Sequence, residues 1–345
     1  MPAPSKLGSL FSQYYPPKPT FTEAQLTPGS QSGRVFIVTG GNTGIGFELC
    51  KLLIRTGATI YMASRSKEKA EAAIKTISDS IPQETPGKGL IKFLRLDLND
   101  LRVVQEAAKE FARQESRLDV LWNNAGTGGN AVTYGERTAQ DLEPLMGMHC
   151  VATLLFSELL RPLLQAAAAD NPNPGATRVL WLASNLVETS APNNGIDFAK
   201  MDRGYENGAT NYAASKAGTW MLAREYGRRY AKDGILSLTV NPGNVKAGSY
   251  AGTPWPIMAI LNATMLHETT YGAYTELYAG LSPDLKPEDY VNFIIPWGRV
   301  GAIDVAWRQD IVKAMRPKDE GGLGYGRRLW EWCEEQWKPH VVDSS

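Results

Sequence analysis

From Arg34 onward, short runs of β-branched residues alternate with longer stretches of helical period, and no other feature constrains the fold as strongly. The strand candidates are 35–38, 59–62, 92–96, 120–122, 178–182 and 236–240, with 291–295 as a further edge strand. Between them, Ile45, Leu49, Leu52 and Leu53 recur at helical spacing, as do Val103, Val104, Ala107, Ala108 and Phe111. Strands that alternate with helices build βαβ units, so the expected architecture is α/β with a doubly wound parallel sheet. Right-handed crossovers then gather the ligand-bearing strand ends along one edge of that sheet. No composition break divides 34–245, which predicts one domain over 33–250. Residues 1–32, rich in Pro, Ser, Gln and Thr without a sustained period, predict an irregular arm pinned by Phe11, Tyr14, Tyr15 and Phe21. Residues 251–345 predict a substrate lid and extension packed on the same domain.

The first strand candidate runs into Thr39-Gly40-Gly41-Asn42-Thr43-Gly44-Ile45-Gly46 and then an amphipathic helix. Glycines at 40, 44 and 46 allow a tight turn and close approach of a pyrophosphate. The helix that follows offers unpaired N–H groups and the positive end of its dipole. A glycine triplet alone is weak, but its place between the first strand and the first helix is the context nucleotide binding needs. The second strand candidate ends at Met62-Ala63-Ser64-Arg65, with no acidic residue at its tip. A carboxylate there accepts a ribose 2′-hydroxyl, whereas an arginine accommodates a 2′-phosphate. Arg65 therefore favours NADP(H) over NAD(H), against the plainer role of a solvated helix-start residue.

Composition removes several alternatives. Lys+Arg and Asp+Glu both number 36, so no global field draws the chain to nucleic acid. No uncharged apolar run reaches about 18 residues, so no membrane span is expected. Three cysteines without paired spacing argue against a disulfide framework and for a reducing compartment, the cytoplasm. His149, His267 and His340 are scattered without ligand spacing, so no metal site is expected.

The remaining motifs are Asp97 in Leu96-Asp97-Leu98, Asn123-Asn124-Ala125-Gly126, Ser184, Tyr212-Ala213-Ala214-Ser215-Lys216 and Asn241-Pro242-Gly243. In this order, at strand ends and on a helix, they make the chain resemble the short-chain dehydrogenase/reductase family over residues 33–250. It is similar in style to the longer members related to retinol dehydrogenases, and its C-terminal run resembles fungal-type members. The resemblance implies a Rossmann-like domain with a nicotinamide cofactor held by Gly40, Asn42, Thr43, Gly44, Ile45, Gly46, Arg65, Asp97, Asn123–126, Tyr212, Lys216, Pro242, Gly243 and Val245. It also implies a catalytic set of Ser184, Tyr212 and Lys216, with dimers and tetramers as the frequent assemblies. Asp97 either contacts the adenine, as the resemblance implies, or caps the next helix.

Chemistry supports that set. Tyr212 and Lys216 lie four apart on one helical face. A phenol with a pKa near 10 is a poor base, and lowering it by roughly 3 units takes about 4 kcal/mol of phenolate stabilisation. The Lys216 ammonium is a suitable source. Tyr212 then protonates a carbonyl oxygen as hydride arrives, or removes the proton in reverse, while Ser184 holds the same oxygen. Two positions depart from the family. His149 stands where an asparagine supports a proton relay; it either serves the relay itself or packs against the sheet. Ala247 stands where a hydroxyl is common, leaving Ser249 or backbone to compensate.

The segment 185–211 is long and is expected to wall the substrate pocket. Tyr250, Trp255, Met258, Ile260, Leu261 and Met265 then either pack as core or face a bulky apolar ligand. Trp330, Cys333 and Trp337 share a helical face that docks on the body or on a second subunit. The leading expectation is an NADP(H)-dependent oxidoreductase for a ketone, aldehyde or secondary alcohol of a hydrophobic small molecule. The competing readings are a redox-silent NADP(H)-binding sensor or scaffold and a non-redox isomerase or cyclase.

Overall fold

The computed structural model describes residues 5–82, 85–171, 173–248 and 253–341. Eight strands form one sheet: β1 (Val35–Thr39), β2 (Thr59–Ser64), β3 (Leu90–Arg95), β4 (Val120–Asn123), β5 (Thr177–Leu182), β6 (Ile235–Val240), β7 (Phe293–Ile295) and β8 (Arg299–Gly301). Their spatial order is β3-β2-β1-β4-β5-β6-β7-β8, parallel throughout except for the antiparallel β7–β8 pair. All six principal strand candidates are present. The seventh differs in position: β7 is covered by β8 and is not the edge.

β1 and β6 are buried at every residue, as parallel strands covered on both faces must be. Alternate side chains supply the two layers. Val35 and Ile37 join the helices Leu101–Gln114, Thr153–Asp170 and Gly208–Tyr230, while Phe36 and Val38 join Gly44–Leu53, Lys67–Asp79 and Thr269–Leu281. The order of strand addition switches sides between β1 and β4, which run parallel, and this opens a crevice at the carboxyl ends of the strands. The helical run Pro144–Asp170 is long and apolar enough to cross a membrane by composition, but 61% of its most apolar window is buried inside the fold.

The arm departs from expectation. Lys6–Tyr14 is a helix whose N-cap, Ser5, accepts from the Gly8 N–H. Its inward residues are Ser9 and Gln13, whereas Phe11 and Tyr15 are exposed and pin nothing. A helix that buries polar residues shows no apolar period, which is why the sequence reads there as irregular. Phe21 does anchor the arm, edge-on to Tyr278 at 5.8 Å between ring centroids.

The long segment after Ser184 also lies elsewhere than expected. Only Asn185, Leu186 and Ala209 from it reach the crevice. Its middle docks on the C-terminal helices: Arg308 donates to the carbonyls of Ala191 and Pro192, and Asp310 accepts from the Asn194 N–H. The helix Tyr325–Trp337 docks on the body, burying Trp330, Cys333 and Trp337. Arg229 lies 4.1 Å over the Trp330 ring there.

Candidate active site

The crevice is a cleft of about 700 Å³ running from Arg65 and Asp97 at one end to Ser184, Leu261 and Met265 at the other. The glycine turn at the nucleotide end is built from backbone. Gly40 has φ +68°, and a Cβ there would sit 3.1 Å from the Ala125 Cα. A Cβ on Gly46 would come within 2.6 Å of both the Gly40 carbonyl oxygen and the Asn124 Nδ2, so the helix Gly44–Leu53 could not approach the turn this closely. Thr43, at that helix's N-cap, makes no side-chain cap, leaving the first-turn N–H groups directed at the cleft. The Ser64 hydroxyl, at the tip of β2, is buried at the cleft and has no partner among the described residues. An uncapped helix start, a turn without side chains and an orphaned hydroxyl fit the phosphates and ribose of a dinucleotide.

Arg65 is exposed and lines this end beside Ser66 and Lys69. Lys69, in the first turn of the helix Lys67–Asp79 that follows Arg65, escaped the sequence reading. Asp97 lines the cleft and accepts from the Asn99 N–H at 3.0 Å. It does not cap the next helix; Asp100 does, accepting from the Arg102 N–H. Asn124 donates to the Thr39 carbonyl at 2.6 Å and the Ala125 N–H to the Thr39 hydroxyl at 2.8 Å, locking the ends of β1 and β4 together. Asn123 turns away from the cleft, donating to Ser157 beneath the sheet, and Gly46 lies behind the turn.

At the other end the wall is made of side chains from distant parts of the chain. Ser184, Tyr212 and Lys216 all line it, as do Pro242, Gly243, Val245 and Ala247. The Asn207 side chain caps the helix Gly208–Tyr230 and sets the helical phase that turns Tyr212 and Lys216 to the same side. The Lys216 ammonium donates to the Leu182 carbonyl at 2.7 Å and lies 5.7 Å from the Tyr212 ring centroid. Burial pulls its pKa down to about 8, against the attraction of Cys150 and Glu276. It is therefore still charged at neutral pH.

His149 is 2% exposed on a π-helical turn, Gly147–Ala152. Its Nε2 accepts from the Thr127 N–H at 3.3 Å, so the proton resides on Nδ1 and is donated to the Ser215 hydroxyl, 2.9 Å away. That hydroxyl in turn donates to the Tyr212 carbonyl. Burial, and secondarily the Lys216 charge, hold the imidazole well below its ordinary pKa. The ring does not line the cleft; it stands edge-on to Tyr212 at 5.8 Å, behind Gly126. Ser249 and Tyr250 lie outside the described residues.

Two contributors escaped the sequence. Asn244 accepts from Asn185 at 3.1 Å, joining the loop after β6 to the loop after β5. Glu276 is buried beneath Trp122, Asn124 and Leu182, and neither carboxyl oxygen has a partner among the described residues. Burial pushes its pKa up to about 8, against the pull of Lys216. Among the described residues no cluster of three His, Cys, Asp or Glu could hold a metal.

A family model described as short chain dehydrogenase matches residues 34–171. The short-chain dehydrogenase/reductase iacJ of Pestalotiopsis fici is 45% identical over 338 residues, covering 98% of this chain and 100% of that protein. A short-chain dehydrogenase/reductase of Phomopsis amygdali is 38% identical over 342 residues, covering 98% of each chain. Among solved structures, NADPH-bound carbonyl reductase from chicken fatty liver superposes with a TM-score of 0.58 at 21% identity, covering 79% of this chain and 96% of that one. That last likeness is one of fold.

Proposed function

Because this chain belongs to the short-chain dehydrogenase/reductase family, whose members are nicotinamide-dependent oxidoreductases, we propose that it is an NADP(H)-dependent enzyme interconverting a hydrophobic ketone or aldehyde and its alcohol. The observation that carries this reading is the meeting of Ser184, Tyr212 and Lys216 on one wall of a cleft whose far end is a glycine-turn cradle. A nicotinamide cofactor held in the cleft would supply or accept the hydride. Tyr212 gives its phenolic proton to the carbonyl oxygen, and Ser184 donates a second hydrogen bond that keeps this oxygen beside the phenol. Lys216, charged at neutral pH, stabilises the phenolate left behind. His149 acts as a positioning residue: being neutral, it packs the edge of Tyr212 and leaves the Lys216 charge available.

Arg65 and Lys69 support NADP(H) over NAD(H), since two cations flank the cleft where a 2′-phosphate would be recognised. Leu261, Met265 and Leu186 line the opposite end and suit an apolar substrate. The free, buried thiols of Cys50, Cys150 and Cys333 suit work in the reducing cytoplasm. The test is NADPH consumption by the purified protein with cyclohexanone, acetophenone and benzophenone, with product masses recorded. Products heavier by two hydrogens support the reading. Tight NADPH binding with no turnover would favour a redox-silent role, and products of unchanged mass a non-redox one.

A further inference from the structure

The N-terminal helix Lys6–Tyr14 precedes the segment that matches the family model, yet its inward face reaches the catalytic end of the cleft. Gln13 is 2% exposed and bonded through both atoms of its amide. Its Nε2 donates to Glu188 Oε2 at 2.7 Å, and its Oε1 accepts from the Asn241 amide at 2.8 Å. Glu188 lies on the short helix that follows Ser184, and its other oxygen accepts from the Trp307 N–H at 3.0 Å. Asn241 in turn accepts from the Gly243 N–H at 3.0 Å, fixing the turn that borders the cleft. One buried amide thus spans the loop that carries Ser184 and the loop that carries Pro242 and Gly243. The next residue, Tyr14, lines the cleft itself, and burial raises the pKa of its phenol. Arg299 holds the helix from outside by donating to the Ser12 carbonyl at 2.8 Å.

We propose that this helix is a working part of the active site: Gln13 clamps the two catalytic loops in register, and Tyr14 forms a wall that limits substrate size. A solvent-facing accessory helix has no use for a buried glutamine bonded at both ends of its amide, because burying an amide is unfavourable unless both its ends are bonded. Placement of reacting groups is also sensitive, a shift of about 1 Å costing on the order of 100-fold in rate. Gln13 is thus a positioning residue and Tyr14 a specificity-determining one. This rests on the hydride-transfer reading of the cleft.

The donor–acceptor pattern supplies its own control. In Gln13→Glu, a carboxyl faces the carboxyl of Glu188 and the donated bond is lost. In the double swap Gln13→Glu with Glu188→Gln, the amide now at position 188 donates to the carboxylate at position 13, while the Asn241 and Trp307 N–H groups keep acceptors. The single variant is expected to lose about 10-fold or more in kcat with acetophenone, with NADPH affinity changed far less. It should also show faster hydrogen exchange at the Gly243 and Trp307 amides, and the swap should restore both. Unchanged kcat and unchanged exchange in the single variant would overturn the clamp, as would a swap that rescues neither. For the wall, Tyr14→Ala should raise kcat/KM for benzophenone relative to cyclohexanone by about 10-fold. An unaltered ratio would remove Tyr14 from specificity. If the wild-type protein reduces none of these ketones, it is the catalytic reading that fails, and the exchange data still decide the clamp.

Discussion

At the nucleotide end of the cleft the phosphate cradle is main chain, drawn from one continuous stretch, residues 39–46, and braced by Asn124 and Ala125, with the Arg65, Lys69 and Asp97 side chains beyond it. At the catalytic end the wall is side chain, drawn from Tyr14, Ser184, Tyr212, Lys216 and the loop after β6. The first end depends on what is missing, since a single methyl group at the wrong glycine blocks it. The second depends on what is present, since each group there is held by another: Lys216 by Leu182, the Tyr212 helix by His149 through Ser215, and the two loops by Gln13. A backbone site should therefore fail sterically and as a unit, whereas a side-chain site should fail one function at a time.

The largest effect that sharpens this contrast is Gly46→Ala. The added Cβ would lie 2.6 Å from the Gly40 carbonyl oxygen, so the helix must shift away from the turn. Overpacking of this kind costs about 1–3 kcal/mol. Loss of stability and loss of NADPH binding should appear together in thermal denaturation and fluorescence titration. Gly44→Ala serves as the control: nothing lies within 4 Å of its Cβ, and only φ +57° opposes the change. Next in size is Arg65→Ala, which should weaken NADPH by about 10-fold, equivalent to about 1.4 kcal/mol, and leave NADH unchanged in calorimetric titration. Equal losses for both cofactors would show that Arg65 does not discriminate between them.

The smallest effect concerns Glu276, which faces Lys216 and Cys50 from the helix Thr269–Leu281. Its carboxyl pKa in the folded state is raised to about 8 from an ordinary 4.5. The folded state therefore holds a proton that the unfolded chain releases, and this contribution to stability is full below the ordinary value and lost as pH rises toward 8. Glu276→Gln, which cannot ionise, should flatten the fall of Tm across that window. An identical pH profile in the variant would show that Glu276 does not titrate there.

The same contrast explains what the sequence disclosed. The glycine turn was legible because its cause is local: three glycines between a strand and a helix fix the backbone without outside help. The inner strands β1, β2, β4, β5 and β6 were legible because burial on both faces demands runs of apolar residues. Tyr212, Lys216 and Ser184 were suggested only in combination, by the order of motifs that resembles the family, since a Tyr and a Lys four apart on a helix are ordinary neighbours when taken alone. Gln13 was invisible, because a polar residue that pairs with Glu188 and Asn241 across the whole chain leaves no period. The path of residues 185–211 was misjudged for a related reason: Arg308 and Asp310, more than a hundred residues away, pull that segment off the cleft. Glu276 hid within an apolar helix whose neighbours Leu277 and Ala279 are ordinary core.

The central claim, that Tyr212 is the proton donor of a hydride-transfer site, is tested most directly by Tyr212→Phe under single-turnover conditions. NADPH binding is measured first by fluorescence titration, and the rate of NADPH oxidation then follows with whichever of the three ketones the wild-type protein reduces fastest. NADPH affinity should remain close to wild type, because the cradle at the far end is untouched. The oxidation rate should fall by about 10²–10⁴-fold, the usual contribution of general acid catalysis. A variant that binds NADPH and oxidises it at the wild-type rate would contradict the assignment.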